Sequence, residues 1–387
     1  MTDVPVSRFD AGVGTGGPGG AGGAGGAASA AGGAGGAGGA GSAAGGAGER
    51  RASVFVVRRP WVHLWPIVGA VLAVVGTIVL GVCIGPARLP VLDVAKELLG
   101  MKSGLGSSAG IVWQLRLPRV ILALMVGGVL SMAGGAYQGA FRNQLADPYL
   151  LGVASGAGLG ATLAIVSTAG PGLVPIAAFA GAILAVTITY VLGSNDTLRA
   201  PSTLILAGVA VSSLFTAVQT FVAQRHANDI RQIYSWILGR LSTSGWTQVV
   251  TMLPYAVVSS IVLIGMSRRL DVLTVGDVEA QSLGLSPVRT RLVIVVAASL
   301  ATAAAVSVSG LIVFVGIIVP HAVRLISGSS YRTILPLSFL YGGVFLALAD
   351  LVARTLMSPA EIPIGVVTAF LGGPFFLYIL RSQRRSA

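Results

Sequence analysis

The stretch Gly316 to Arg324, GIIVPHAVR, ends a long apolar run with proline, histidine and arginine in quick succession. An apolar helix that stops on such a cluster has reached water. Upstream, the run from Leu292 to Pro320 is 29 residues, long for one membrane helix and short for two full spans, so hydropathy alone leaves both readings open. Charge favours one of them. Arg289 and Arg291 precede the run and Arg324 follows it, so if both ends face the same compartment the chain goes in and comes back. That predicts a tight helical hairpin turning near Ser307 to Gly310.

The rest of the chain has the same character. Of 387 residues 54% are hydrophobic and only 10% are charged, and the mean hydropathy is +0.86. A soluble domain does not have this composition. A bilayer core about 30 Å thick requires roughly 20 mostly apolar residues per helix. Apolar segments occur at 65–85, 118–139, 149–168, 173–193, 202–223, 247–266, 292–309, 311–324, 334–355 and 363–380, with the breaker Gly170-Pro171-Gly172 dividing the third from the fourth. The expectation is an all-α polytopic membrane protein with about ten transmembrane helices.

Residues 1–60 are dominated by a Gly, Ala and Ser arm that lacks the apolar surface to order itself, and read as a disordered cytoplasmic tail. The cluster Arg50, Arg51, Arg58 and Arg59 then holds the start of the first span in the cytoplasm, and residues 61–387 form the transmembrane domain. With ten spans both termini are cytoplasmic, and cytoplasmic segments carry 16 of the 25 Lys and Arg residues. The net charge of +12 is scattered at segment ends, which fits topology and lipid headgroups and gives no nucleic-acid stripe. The single cysteine, Cys83, lies in the first apolar segment, so an intrachain disulfide is excluded and the side chain reads as an apolar packer.

Two spans carry small residues at a spacing of four: Gly127, Ser131, Gly135 and Gly139 in the second, and Gly152, Gly156 and Gly160 in the third. Each set falls on one helix side and predicts close backbone approach inside a single bundle.

Catalytic chemistry is missing. The three histidines, His63, His226 and His321, have no metal-binding spacing, and no catalytic or metal residues are assigned. Neither lysine, Lys96 or Lys102, sits in a phosphate loop, so this chain does not hydrolyse ATP by itself. One ionisable residue stands out within a span. Asp350 precedes Arg354 by one turn, an order that suits a neutralised structural pair, while proton coupling through Asp350 in an ion-driven secondary transporter is the competing reading.

Four motifs bring a resemblance: LRLPRV at 115–120, QGAFRNQLADPYLLGVASGAG at 138–158, VSGLIVFVGIIVPHAVRLISG at 308–328, and DLVARTLMSPAEIPIGVVTAFLGGPFF at 350–376. In this order, from Trp113 to the C-terminus, they resemble the FecCD family of ABC-importer permeases, whose cargoes are ferric siderophores, haem or cobalamin. The resemblance implies a type II ABC-importer permease fold in the cytoplasmic (inner) membrane. Its implied partners are a second permease copy or related chain, two cytoplasmic ATPase subunits and an extracytoplasmic substrate-binding protein. No cofactor is implied in this chain, since ATP and magnesium belong to the ATPase.

The resemblance also implies roles. Arg116, Arg119 and Arg354 match arginines that dock acidic residues of the binding protein. Gly276, Asp277, Glu279, Ala280, Leu283 and Gly284, in a loop at about 268–291, match the ATPase coupling surface, with Glu279 and Ala280 facing the ATPase and Gly284 making the left-handed stop. Asn143 and Leu145 fall at a cytoplasmic gate, where Gln144 replaces the family's usual proline. A ferric siderophore is the expected cargo, with cobalamin or haem as the alternative.

Overall fold

The computed structural model describes residues 64–87, 89–101, 103–167, 170, 172–193, 201–241 and 245–386. The glycine-rich arm at 1–60 and its arginine cluster lie outside the described residues, as does most of the Gly170–Gly172 breaker's neighbourhood at 168–171. Every regular element among the described residues is helical.

In chain order the helices are α1 Leu64–Cys83, α2 Val91–Leu98, α3 Ala109–Ala140, α4 Val153–Val166, α5 Leu173–Gly193, α6 Pro201–Arg225, α7 Ile230–Ile237, α8 Thr247–Gly265, α9 Ser267–Leu273, α10 Asp277–Ser282, α11 Pro287–Ser309, α12 Val315–Ser327, α13 Tyr331–Thr355 and α14 Ile364–Ser386. Seven of them (α1, α3, α5, α6, α8, α11 and α13) have the length and apolarity to cross a bilayer, and α4, α12 and α14 add shorter apolar helices. These ten correspond one to one with the ten apolar segments of the sequence.

Helix α3 is the axis of the bundle and is fully buried from Val126 to Ala140. Its small face meets α13 so closely that a Cβ on Gly127 would overlap the Gly342 carbonyl, while Ser131 lies against Gly342 itself. The second small face does the same against α5, with Gly156 against the Gly181 backbone and Gly160 against Ala177. Such contacts supply dispersion attraction in a solvent that gives no hydrophobic drive between helices. By contrast α5, α6 and α8 leave most of their apolar side chains outside, including Leu206, Leu214 and Phe221 of α6.

The hairpin turns where the sequence placed it. Gly310 ends α11 with φ of +69°, and five residues, 310–314, lead into α12. At 13 residues α12 is about 20 Å long and does not cross a 30 Å core. Backbone left non-helical at that depth needs partners inside the protein. Tyr149 provides one, its hydroxyl donating to the Ile312 carbonyl at 2.8 Å and accepting the Ile312 N–H at 3.2 Å. Nearby, the Arg240 N–H reaches the Ser309 carbonyl at 2.8 Å and the Gly365 N–H reaches the Leu238 carbonyl at 3.0 Å. The end of α7, the turn and the start of α14 are thereby tied together.

Candidate functional site

The residues singled out in the sequence gather at the two ends of the bundle. At one end, Pro118 cannot donate to the helix ladder, and the turn just before it, Val112–Arg116, is π-helical. The helix therefore begins nine residues earlier than the apolar segment suggested. This turn and the one after it present Arg116 and Arg119. The Arg116 guanidinium is buried, bonding the carbonyls of Val82 at 2.7 Å, Cys83 at 3.0 Å and Ala87. The Val82 and Cys83 carbonyls end α1, which lacks further helical donors there, so Arg116 serves as their cap and also holds the chain just beyond at Ala87.

Arg119 makes the closest ion pairs among the described residues. Its Nη2 lies 2.8 Å from Asp350 Oδ1, and Nε adds contacts of 3.1 Å to both carboxylate oxygens. Its Nη1 and Nη2 also reach Glu361 at 2.8 and 3.1 Å. The hydrogen bond from Arg119, with its charge, holds the Glu361 carboxyl below the usual carboxylate range. Arg354 is also buried, donating to the Gly81 carbonyl at 2.5 Å and standing 3.6 Å from Asp350. The expected Asp350–Arg354 pair is therefore present as the weaker half of a three-element cluster. Both arginines and Glu361 surround Asp350, which gives its charge a structural account. Arg240, exposed on the loop after α7, joins Arg119, Asp350 and Glu361 around a small hollow of about 170 Å³. Sequence reading passed over Arg240 because no motif carries it.

At the other end Gly276 has φ of 156° and ψ of 159°, a region that only glycine occupies readily, and it opens α10. Asp277 follows at the first helical position. Its carboxylate takes Arg291 Nη2 at 3.1 Å and Arg142 at 3.6 Å, and Arg291 Nε also donates to the Ala140 carbonyl at 3.0 Å. The short helix is thus tied to α11 and to the loop that ends α3. Gly284 leaves α10 with φ of +78°, the left-handed stop anticipated from the sequence.

One expected orientation is reversed. Ala280 is fully buried, so it does not share an outward face with Glu279. The outward face instead carries Val278 and Leu283, 76% and 70% exposed, with Val275 beside them at 67%. A helix of six residues has too little periodicity for the sequence to say which side is apolar and outward. Asn143, Gln144 and Leu145 are all exposed in the loop after α3, where Asn143 Oδ1 accepts the Leu145 N–H at 2.9 Å. Behind that loop burial pushes the Asp147 carboxyl up to about 6, opposed by the Tyr149 N–H at 2.7 Å.

Between the ends, α4, α6 and α7 border a groove of about 570 Å³. Ser155, Ser212, Thr216, Gln219, Thr220 and Gln224 are among its polar groups, and no charged side chain lines it. Polar groups on a membrane helix face other protein or water rather than lipid. The sequence carried this stripe at the helical spacing Ser212, Thr216, Gln219, Ala223, but it lacked the charges that usually draw notice. Among the described residues no cluster of His, Cys, Asp and Glu has the geometry to hold a metal ion.

Comparison with known proteins fits this arrangement. The model of the FecCD transport family matches residues 73–382. The cobalamin import system permease protein BtuC of Halobacterium salinarum is 45% identical over 275 residues, covering 70% of this chain and 74% of that protein. The Fe(3+)-citrate import system permease protein YfmE of Bacillus subtilis is 32% identical over 321 residues, covering 82% and 95%. A solved chain from an ABC transporter assigned to the metal-chelate type, in an inward-facing conformation, superposes with a TM-score of 0.75 at 30% identity, covering 83% of this chain and all of that one. This multi-pass chain is therefore a non-catalytic permease of an ABC importer, and it belongs to the FecCD transport family.

Proposed function

We propose that this permease imports a ferric siderophore across the inner membrane by alternating access, with its termini and α10 on the cytoplasmic side. Two copies, or this chain and a related one, would enclose the path. Two ATPase subunits would supply the energy by binding and hydrolysing ATP with magnesium, and this chain holds no cofactor of its own. The observation that carries the reading is the uncharged hydroxyl and amide groove of α4, α6 and α7, which suits a large polar chelate that must be held weakly and released.

The outward Val275, Val278 and Leu283 support α10 as the surface that enters a groove on the ATPase, while Gly276, Asp277, Glu279, Ala280 and Gly284 shape and anchor it. At the opposite end Arg119 is the docking arginine closest to solvent, with Arg116 and Arg354 behind it. An acidic residue of the binding protein would take the place of Glu361 on Arg119. Asn143 and Leu145 form the gate beside α10.

A second reading, cobalamin import, is favoured by the 45% identity to the Halobacterium salinarum permease. The test is uptake into proteoliposomes holding the permease, its ATPase and the binding protein encoded beside it, with labelled ferric siderophore and labelled cobalamin offered separately. ATP-dependent accumulation of the ferric chelate is the expected result. Accumulation of cobalamin alone would replace the first reading with the second, and accumulation that persists without the ATPase would defeat both.

A further inference from the structure

A second hollow, of about 470 Å³, opens at the α10 end, away from the polar groove. It lies among Gln138 at the end of α3, Arg142 and Gln144 in the loop beyond, Arg324 of α12, and Ser329 and Tyr331 around the start of α13. Its hydrogen-bonding groups are unbalanced. The one carboxylate in the lining, Asp271, is already engaged: Oδ1 accepts the Tyr331 N–H at 2.6 Å, and Oδ2 accepts the Ser330 hydroxyl at 3.0 Å with Arg332 3.8 Å away. It caps the N-terminus of α13 and has little left for another cation.

The donors are not so engaged. Arg324 Nη2 donates to Gln138 Oε1 at 3.3 Å and to the Tyr331 hydroxyl at 3.2 Å, with the guanidinium 5.8 Å from the Tyr331 ring centre. Its Nη1 is shielded from solvent and has no hydrogen-bond partner, so it meets an anion in the hollow by a turn of the guanidinium toward it. A buried charged donor without an acceptor is costly, and native proteins rarely keep one that nothing uses. Arg142 adds a second guanidinium, since the one carboxylate beside it among the described residues, Asp277, lies 3.6 Å away and is held more closely by Arg291 at 3.1 Å. Two cations with spare donors, a spent carboxylate and side-chain amides around them select an anion with several acceptor oxygens.

We propose that this hollow binds a phosphate-type oxyanion between Arg324 and Arg142. Its volume leaves room for a phosphate bearing a substituent, so the oxyanion is either the headgroup of an anionic lipid or a free phosphate. The site is independent of the transported cargo.

The test uses the permease assembled with its ATPase and reads the thermal unfolding temperature. In one arm the complex sits in nanodiscs of phosphatidylcholine with or without phosphatidylglycerol. In the other, phosphatidylcholine nanodiscs receive inorganic phosphate against chloride at equal ionic strength. The expected result is an upward shift of several degrees in at least one arm, lost in Ser329→Glu, which places a carboxylate at the hollow, and in Arg324→Gln. A shift with phosphatidylglycerol alone assigns the lipid headgroup, and a shift with phosphate assigns the free anion. No shift in either arm, or an undiminished shift in Ser329→Glu, overturns the proposal, and that variant keeps the test decisive if Arg324→Gln fails to fold.

Discussion

Replacing Arg119 with methionine removes the short, multidentate partner of Asp350 and leaves that carboxylate, 2% exposed, facing only Arg354 at 3.6 Å. Breaking a buried pair from one side costs about 3–5 kcal/mol because the surviving charge is stranded. Arg354 remains, so the lower end, about 3 kcal/mol, is expected, or roughly a hundredfold rise in the unfolded fraction. Glu361 is different, with 43% of its side chain exposed, and Glu361→Gln should cost no more than about 1 kcal/mol. Asp350→Asn keeps the side chain's shape and leaves each arginine another partner, Glu361 for Arg119 and the Gly81 carbonyl for Arg354. Adding Asp350→Asn to Arg119→Met should therefore restore part of the lost stability, since the stranded charge is gone. Equilibrium unfolding of the wild type and these four variants in the same bilayer mimic measures these differences, and ATP-driven uptake in Asp350→Asn checks that no proton passes through this carboxylate. Equal losses for Arg119→Met and Glu361→Gln, or a double variant that loses the sum of its singles, would refute the reasoning.

Other substitutions probe the remaining features. Gly284→Val places a β-branched residue at φ of +78°, at a strain of about 1–3 kcal/mol, and should lower substrate-stimulated ATP hydrolysis while assembly with the ATPase persists. Leu283→Glu, on the exposed face of α10, should weaken binding of the ATPase without shifting the unfolding temperature of the isolated permease. Gly127→Leu would force its side chain into the Gly342 backbone and should abolish folded protein, whereas Gly170→Ala, with open space around it, should be neutral in yield and melting temperature. Asp147, raised to about 6, binds its proton more tightly when folded than unfolded, so stability should fall as pH rises through about 4 to 6 and stay lower above. A pH series of melting temperatures should show that fall in the wild type and a flatter profile in Asp147→Asn.

Much of the bundle was legible because membrane folding writes it in long signals. The apolar lengths located ten helices, flanking arginines placed the turn near Gly310, and small residues four apart marked the faces on which α3 and α4 meet α13 and α5. What escaped depends on partners remote in sequence. Nothing near Arg116 says that its acceptors are carbonyls about 30 residues upstream, and nothing near Asp350 favours Arg119, 231 residues away, over its neighbour Arg354. Local rules also misled where tertiary packing overrode them. Pro118 reads as a helix start, yet the chain stays helical through a π turn before it, and α10 is too brief for its sequence to reveal that Ala280 faces inward.

The placement of these contacts bears on which parts of the bundle can move. Helix α3 is tied to α13 by Arg119 and Asp350 at one end and by Gln138, Arg324 and Tyr331 at the other, with backbones touching at Gly127 and Gly342 between. Sliding two helices whose glycines interlock requires separating them first, and packed interfaces resist continuous deformation. The pair should therefore move as one body. The lightly covered α6 has fewer such restraints. The turn at 310–314, by contrast, is held by Tyr149 and packed closely against the end of α7 and the start of α14, which are themselves joined by the Ile364 and Gly365 N–H groups donating to the Gly239 and Leu238 carbonyls. Displacement of α10 by an ATPase would reach α3 through Arg291 and pass along the rigid pair, leaving the change of shape to the groove side. Hydrogen–deuterium exchange of the assembled transporter during ATP turnover should then change along α6 and stay slow along α3 and α13. Faster exchange within α3 itself during turnover would show that the glycine interface opens and that the rigid-pair account is wrong.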